Sequence, residues 1–328
     1  MHQHADAGIL LPADLTGAAA AVRRAADVAS RAADADEAVL IVAEPGFAPE
    51  GIARAIHQAG SRASRPFVAV DCSERVESLA ARLFGKDKAV RAEYETVTGD
   101  SALALARAGT VFLGSVGEMP ASVQVRLSRV LRDGELRIRK LTAPIRFRLI
   151  AAADPGLEID VREHRFRPEL YRRLQRLRLD VPPLRDRAAD LPLLLDTVFE
   201  QISHARKMPC QLAPAARTAL AALRWTGNLQ ELRDVLARLV DRCHDGVIRQ
   251  EDVLADLQEL HARPRPQPTV ATLRDARQTF EREYISTVLE EYGWRMTEAA
   301  RALGIERANL YRKTRQLGIT RQKPSRAS

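Results

Sequence analysis

No apolar run in this chain of 328 residues approaches the length of a membrane span, and its first residues carry no leader-peptide pattern. The sequence therefore predicts a cytoplasmic protein with no membrane partner. Cysteine is scarce. Cys72, Cys210 and Cys243 stand alone in no redox or metal-binding spacing, which excludes a disulfide scaffold and points to reduced thiols. His2 and His4 make a weak His-x-His that reads as frayed chain, so no metal site and no cofactor are expected. Linker composition is rare too. Only ARPRPQPTV, from Ala262 to Val270, alternates proline with polar residues and predicts an extended, semi-rigid connector.

What is present is a sizeable core and a lopsided charge. Apolar residues make up 46% and charged residues 29%, enough for two or three globular units. The formal net charge is +8, yet nine Lys or Arg against two acids between Arg295 and Ser328 place +7 of it in the last tenth of the chain. Basic density of this kind is the footprint of a polyanion. The stretch Thr297–Ile319, TEAARALGIERANLYRKTRQLGI, reads as a helix-turn-helix. Thr297 is placed to cap a first helix carrying Ala299, Ala300 and Leu303; Gly304 supplies the turn, and Ile305 and Leu310 plug the angle. A second helix then offers Arg307, Asn309, Tyr311, Arg312, Lys313 and Arg315 as donors at major-groove spacing. Base reading falls mainly to Arg307, Asn309 and Arg312, while Lys313, Arg315, Arg321 and Lys323 are expected to touch phosphates. The partner implied is double-stranded DNA.

Ahead of the connector, residues 17–190 alternate helical stretches with buried apolar runs at Ala38–Ala43, Phe67–Val70, Thr110–Leu113 and Phe147–Ala152. That rhythm predicts an α/β layered domain with a parallel sheet. After Pro192 the strands are expected to vanish, leaving helices at Leu193–Ile202, Pro214–Leu223, Leu229–Cys243 and Glu251–Leu260. The domain plan is thus a short N-terminus (1–16), an α/β core (17–190), a helical lid (191–261), a linker (262–271), a helix-turn-helix domain (272–321) and a basic tail (322–328).

Several strings carry a family resemblance: ARAIHQAGSRASRPFVAVDCS (53–73), RLFGKDK (82–88), GTVFLGSVGEMPASVQVRLSRVLRDGE (109–135), FRPELYRRLQRLRLDVPPLRDR (166–187) and WTGNLQEL (225–232). Through them the chain resembles bacterial enhancer-binding proteins of the NtrC type. Those proteins join an AAA+ ATPase that activates sigma-54 RNA polymerase to a Fis-like helix-turn-helix; no receiver or other sensory segment is recognised ahead of this module. The resemblance implies an AAA+ parallel-sheet core, a helical lid and an all-α DNA-binding domain. It also implies a homodimer through amphipathic helices carrying Leu273, Phe280, Tyr284 and Ile285, then Val288, Leu289 and Tyr292. Such a dimer presents two reading helices to half-sites about 34 Å apart.

The same resemblance exposes departures at every catalytic position. The family's phosphate loop GESGTGKE is AEPGFAPE (Ala43–Glu50) here, keeping Glu44, Gly46 and Glu50 but placing Pro49 where the lysine belongs. Proline brings neither charge nor N–H to a phosphate. The Asp-Glu pair expected after the third strand is Gly114-Ser115, the sensor segment is Ala151-Ala152-Ala153-Asp154, and Gln230 replaces the lid arginine. Arg167 and Arg173 match the family's arginine fingers, and pairing with Glu169 or a neighbouring subunit becomes their expected role. No GAFTGA segment follows Phe84-Gly85-Lys86-Asp87-Lys88. Nine arginines between Arg162 and Arg187 read as a solvated face interlaced with acids. The expectation is a sequence-specific regulator on a non-hydrolysing AAA+ scaffold, not an enzyme, with RNA polymerase or an intact relative as a further partner. Two alternatives stand beside it: an ATP-dependent sigma-54 activator with divergent motifs, and a low-specificity architectural DNA-binding protein.

Overall fold

A computed structural model of the chain describes residues 15–86, 96–138, 141–243, 245–262, 284–286, 288–289, 292, 294–303, 307–317 and 319. The chain divides into two compact units, Met1–Leu257 and Gln258–Ser328. The linker from 263 onward, Leu273, Phe280, Arg321 and Lys323 lie outside the described residues, as does most of the segment after Lys86.

The first unit opens with helix α1 (Ala20–Asp34), followed by β1 (Val39–Val42), α2 (Pro49–Ala59), β2 (Phe67–Asp71), α3 (Val76–Phe84), α4 (Ala102–Leu105) and β3 (Thr110–Gly114). Helix α5 (Ala121–Asp133), a hairpin of β4 (Glu135–Ile138) and β5 (Leu141–Pro144), β6 (Arg148–Ala153), α6 (Leu157–Arg162), α7 (Pro168–Leu174) and β7 (Leu177–Asp180) complete the core. Five strands pair in parallel in the order β2-β3-β6-β1-β7. The four expected strands all form. Their unbroken apolar runs suit a sheet covered on both faces, as β1 (VLIV) and β6 (RLIAAA) show by being buried at every position. The β4–β5 hairpin and β7, whose LRLD reads as solvated chain, are additional to the sequence expectation.

Register sets where chemistry can happen. Val42 lies opposite both Ala153 and Asp180, and Gly114 lies opposite Asp71, so the strands end flush along one edge. In open α/β sheets that carboxyl edge is the ligand-binding edge.

The lid comprises α8 (Leu191–Arg206), α9 (Pro214–Ala221), α10 (Asn228–Arg242) and α11 (Gln250–Ala262), packed around Leu195, Leu229, Leu232 and Leu236. The expectation that strands cease after Pro192 needs correction. Gln211–Leu212 and Val247–Ile248 pair in parallel and pin the α8–α9 connection to the segment after α10.

Lid and core meet at a buried ion pair. Arg187 and Asp190 sit in the tight turn before α8, each almost wholly enclosed (1% and 2% exposed) with Nε 3.5 Å from the carboxylate. Asp190 Oδ1 also accepts the backbone N–H groups of Ala18 (2.6 Å) and Ala19 (3.0 Å), just ahead of α1, while Arg187 Nη2 donates to the Thr16 carbonyl. At the other end of α1, buried Arg148 donates to the carbonyls of Ala32 and Glu37. Within an arginine-rich segment expected to be solvated, Arg187 is thus a core residue. Its neighbours do follow the expectation: Arg165 pairs with Asp160 and Glu163, and Arg178 with Glu158 and Asp180.

Candidate functional site

Two sites emerge, one in each unit. The first is a cavity of about 290 Å³ at the carboxyl edge of the sheet, lined by Ala43, Glu44, Pro45, Phe47 and Pro49 from the β1–α2 loop, Ser115, Gly117 and Glu118 after β3, and Ala152–Asp154 closing β6. Its lining holds three carboxylates and no lysine or arginine. Glu118 and Asp154 are exposed; Glu118 has no partner among the described residues, and Asp154 Oδ1 accepts only the Gly156 N–H. A cavity of this sign repels a triphosphate rather than concentrating it.

Pro49 opens α2 at its first helical position, where a missing N–H costs nothing and a fixed φ helps. Gly114 ends β3, and Ser115 turns the chain with φ +49°. Of the replaced positions, Pro49, Ser115 and Ala152–Asp154 line this cavity, Gly114 ends the strand just ahead of it, and the exception is Gln230. Its side chain turns away along α10 to Asp234 (2.8 Å), while its N–H donates to the Gly46 carbonyl (2.9 Å).

The loop is held by the lid. Glu44 makes a two-pronged ion pair with Arg185 (2.6 and 2.7 Å). Buried Asn228 donates to the Pro45 carbonyl (2.9 Å) and to Glu44, and its own Oδ1 accepts from Leu184 N–H. Gly46 adopts φ +92° against the lid backbone, and a Cβ there would stand 1.9 Å from the Gly227 carbonyl oxygen. Phe47 packs into both the lid core and the sheet core. Sequence reasoning missed Arg185, Asn228 and Phe47 because their roles depend on a contact some 140 residues or more away along the chain.

The Arg185 guanidinium, hydrogen-bonded to Glu44, holds its carboxyl below the usual carboxylate value of 4.5. The resulting stabilisation is complete above that value and fades as pH falls through the depressed one. Glu44→Gln is therefore expected to cost about 0.5–1 kcal/mol at neutral pH and nothing in strong acid. Urea melts of both proteins across the acid range check this through their convergence.

Arg167 and Arg173 do not pair with Glu169 among the described residues, which corrects the first of the two expected roles. Arg167 is exposed at the start of α7, with its backbone N–H held by Gln124 Oε1 (2.9 Å). Arg173 Nη1 donates to the Leu131 carbonyl (3.1 Å). An open hollow of about 610 Å³, lined by Leu131, Leu149, Glu169, Arg172, Arg173 and Arg176, lies beside them.

The second site is the helix-turn-helix. A supporting helix, Met296–Ala302, and a reading helix, Arg307–Gln316, close over Ile285, Leu289, Ala299, Ala300 and Leu310. Thr297 is not the cap: the helix begins one residue earlier, Arg295 holds the cap position, and no side chain bonds the first turn. Arg307 and Tyr311 stand exposed one turn apart, the guanidinium 5.8 Å from the ring centroid. Asn309 and Lys313 are half-buried on an adjoining stripe, and the side chains of Arg312 and Arg315 lie outside the described residues. At about 1.5 Å rise per residue the reading helix is roughly 15 Å long, suited to a groove about 12 Å wide.

Comparison with known proteins gives three family matches in sequence order. Residues 15–180 match the sigma-54 interaction domain, residues 185–269 the AAA+ ATPase lid domain, and residues 276–317 the bacterial regulatory protein, Fis family. The nitric oxide reductase transcription regulator NorR2 of Cupriavidus necator is 33% identical over 96% of this chain, which spans 64% of that protein. The DNA-binding transcriptional regulator NtrC of Klebsiella pneumoniae is 32% identical over 94% of this chain and 71% of its own length. Among solved structures, NtrX from Brucella abortus in complex with ADP superposes with a TM-score of 0.65 at 28% identity, covering 94% of this chain and 70% of that one.

Proposed function

Since the chain belongs to the sigma-54 interaction domain family of enhancer-binding transcription regulators, we propose that it is a sequence-specific DNA-binding regulator whose AAA+ core no longer hydrolyses ATP. The observation that carries the reading is the lining of the sheet-edge cavity. Glu118 and Asp154 face it with no lysine or arginine in the lining, Glu44 is taken up by Arg185, Pro49 stands at the phosphate-lysine position, and Gly114-Ser115 stand where metal and water need carboxylates. DNA contact is assigned to the reading helix, with a homodimer bringing two copies to a paired site. Regulation then proceeds by occupying DNA or by contact with polymerase or an intact relative.

A second reading has its own support. Family membership over nearly the whole chain favours ATP-dependent activation of sigma-54 polymerase, and NtrX, a solved relative, has been captured with ADP and with ATP. The two readings part at turnover. With saturating Mg²⁺ and ATP the first expects hydrolysis at least about 10³-fold below that of a relative bearing the lysine and both carboxylates. Turnover near 1 s⁻¹ or above, in the ordinary enzymatic range, restores the second reading. Transcription from a sigma-54 promoter in a purified system supplies the matching functional measurement.

A further inference from the structure

The lid is fastened to itself by one small clamp. Gln211–Leu212 pairs in parallel with Val247–Ile248, the Gln211 N–H donating to the Gly246 carbonyl (2.9 Å) and the Ala213 N–H to that of Ile248 (3.0 Å). Each arm of the clamp is entered through a cysteine. Cys210 immediately precedes the first strand, and Cys243 ends α10 with its N–H on the Val240 carbonyl (3.1 Å). Far apart in sequence, the two thiols are half-buried against the same lid core and are joined side chain to side chain by a hydrogen bond. Cys243 also lines a cavity of about 280 Å³, which gives a small oxidant a path to its sulfur. The third cysteine supplies the contrast: Cys72 is wholly enclosed, and burial pushes its thiol up to about 12.

The two lid thiols differ in role. Burial, then the hydrogen bond and charge of Cys243, pushes the Cys210 thiol up to about 11, so Cys210 keeps its proton at neutral pH. It is the S–H donor of the pair, which leaves Cys243, with the cavity beside it, as the sulfur open to an oxidant. Closing such a hydrogen-bonded pair to an S–S bond of about 2.05 Å takes a shift of about 1–2 Å.

We propose that Cys210 and Cys243 form a reversible disulfide, an oxidative modification site that responds to a peroxide and locks the lid clamp covalently. Cys243, as thiolate, attacks a peroxide oxygen; the O–O bond breaks, and the departing hydroxide is protonated to water. Cys210 then attacks the sulfenic sulfur. An S–S bond forms, and a second hydroxide leaves and takes up the Cys210 proton as water. The two thiols together give up two electrons, and one hydrogen peroxide becomes two waters. Because the sulfenic acid is neutral, Cys243 no longer repels charge on Cys210, so the first step eases the second. A small thiol reverses the bond by exchange and is itself oxidised to a disulfide. The bond ties the entry of the clamp to the end of α10, the helix whose first residue, Asn228, holds the Pro45 carbonyl.

Full-length protein treated with hydrogen peroxide, then blocked and digested, should yield one linked peptide pair, Cys210 with Cys243, while Cys72 stays free. Dithiothreitol should restore both thiols. Cys210→Ser should leave a dimedone-reactive sulfenic acid on Cys243 and no internal bridge. Cys243→Ser should label at Cys210 at least about tenfold more slowly, since a thiol that keeps its proton is a poor nucleophile. Oxidised wild type should melt about 5–10 °C above its reduced form, because the bridge closes a loop over α9 and α10; neither serine variant should gain that shift. Circular dichroism of the reduced variants, matching wild type, separates loss of the bridge from loss of the fold. Peroxide treatment that leaves both lid thiols free overturns the proposal, as does a bridge to Cys72 or between copies. A bridged protein that melts with its reduced form overturns the locking of the clamp.

Discussion

Arg187→Ala is expected to destabilise the first unit by about 3–5 kcal/mol, the cost of removing one member of a buried ion pair. The magnitude follows from what the substitution strands. Asp190 would remain enclosed as a charge, with the Ala18 and Ala19 N–H groups as its remaining donors in place of a guanidinium. The Thr16 carbonyl would lose its donor as well, loosening the chain that leads into α1. At this domain size about 1 kcal/mol moves the melting midpoint by roughly 2–4 °C, so thermal denaturation should fall by about 6–20 °C. Asp190→Ala should be at least as damaging, because it removes both the counter-ion and the acceptor of the Ala18 and Ala19 N–H groups that lead into α1. A double variant, Arg187→Met with Asp190→Leu, should recover part of the loss by leaving no buried charge. If either single substitution melts within about 2 °C of wild type, the pair is not holding lid to core.

That ion pair illustrates how far the sequence could be read. Strands β1, β3 and β6 were legible because a strand buried on both faces reads as a near-continuous apolar run, as AVLIVA, TVFL and FRLIAA do with Thr110 and Arg148 as their only polar residues. Strand β7 was not, since LRLD alternates charge with leucine and owes its place to pairing with β1. Arg187 was hidden for the opposite reason. It sits in a run of arginines, most of which are solvated, and beside the local pair with Asp190 its place is fixed by the distant Thr16 carbonyl. Local pattern locates an element; long-range contact decides which polar residue goes inside.

The candidate sites divide along the same line. Pro49, Gly114 and Ser115 were found from a motif whose spacing survives after its chemistry has changed, and the fold brings all three to the sheet edge. Glu118 and Asp154 acquire meaning only when seen facing the same cavity, and Asn228 only when its amide is found on the Pro45 carbonyl. In the helix-turn-helix, Leu310 and Ala299 were legible as core, yet the helix starts a residue before Thr297 because Arg295 already adopts an extended cap conformation.

Arg307→Ala combined with Arg312→Ala is expected to abolish specific DNA binding while leaving the protein folded. Arg307 is exposed, and the packing of the reading helix is carried by Leu310 against Ile285, Leu289, Ala299 and Ala300, so its truncation removes a donor rather than a core contact. One bidentate base contact discriminates by about 1–3 kcal/mol, so two lost per copy weaken binding by about 2–6 kcal/mol, or thirtyfold to more than 10⁴-fold. A dimer loses that amount at each half-site. Lys313→Ala should behave differently: loss of a phosphate contact lowers affinity for every duplex alike and reduces the salt dependence by about one ion. Genome-wide mapping of bound sites followed by salt titrations on the recovered fragments separates these effects. Discrete sites lost in the double variant but only weakened in Lys313→Ala mark base reading. A diffuse profile, equally depressed by both variants, would instead identify an architectural DNA-binding protein.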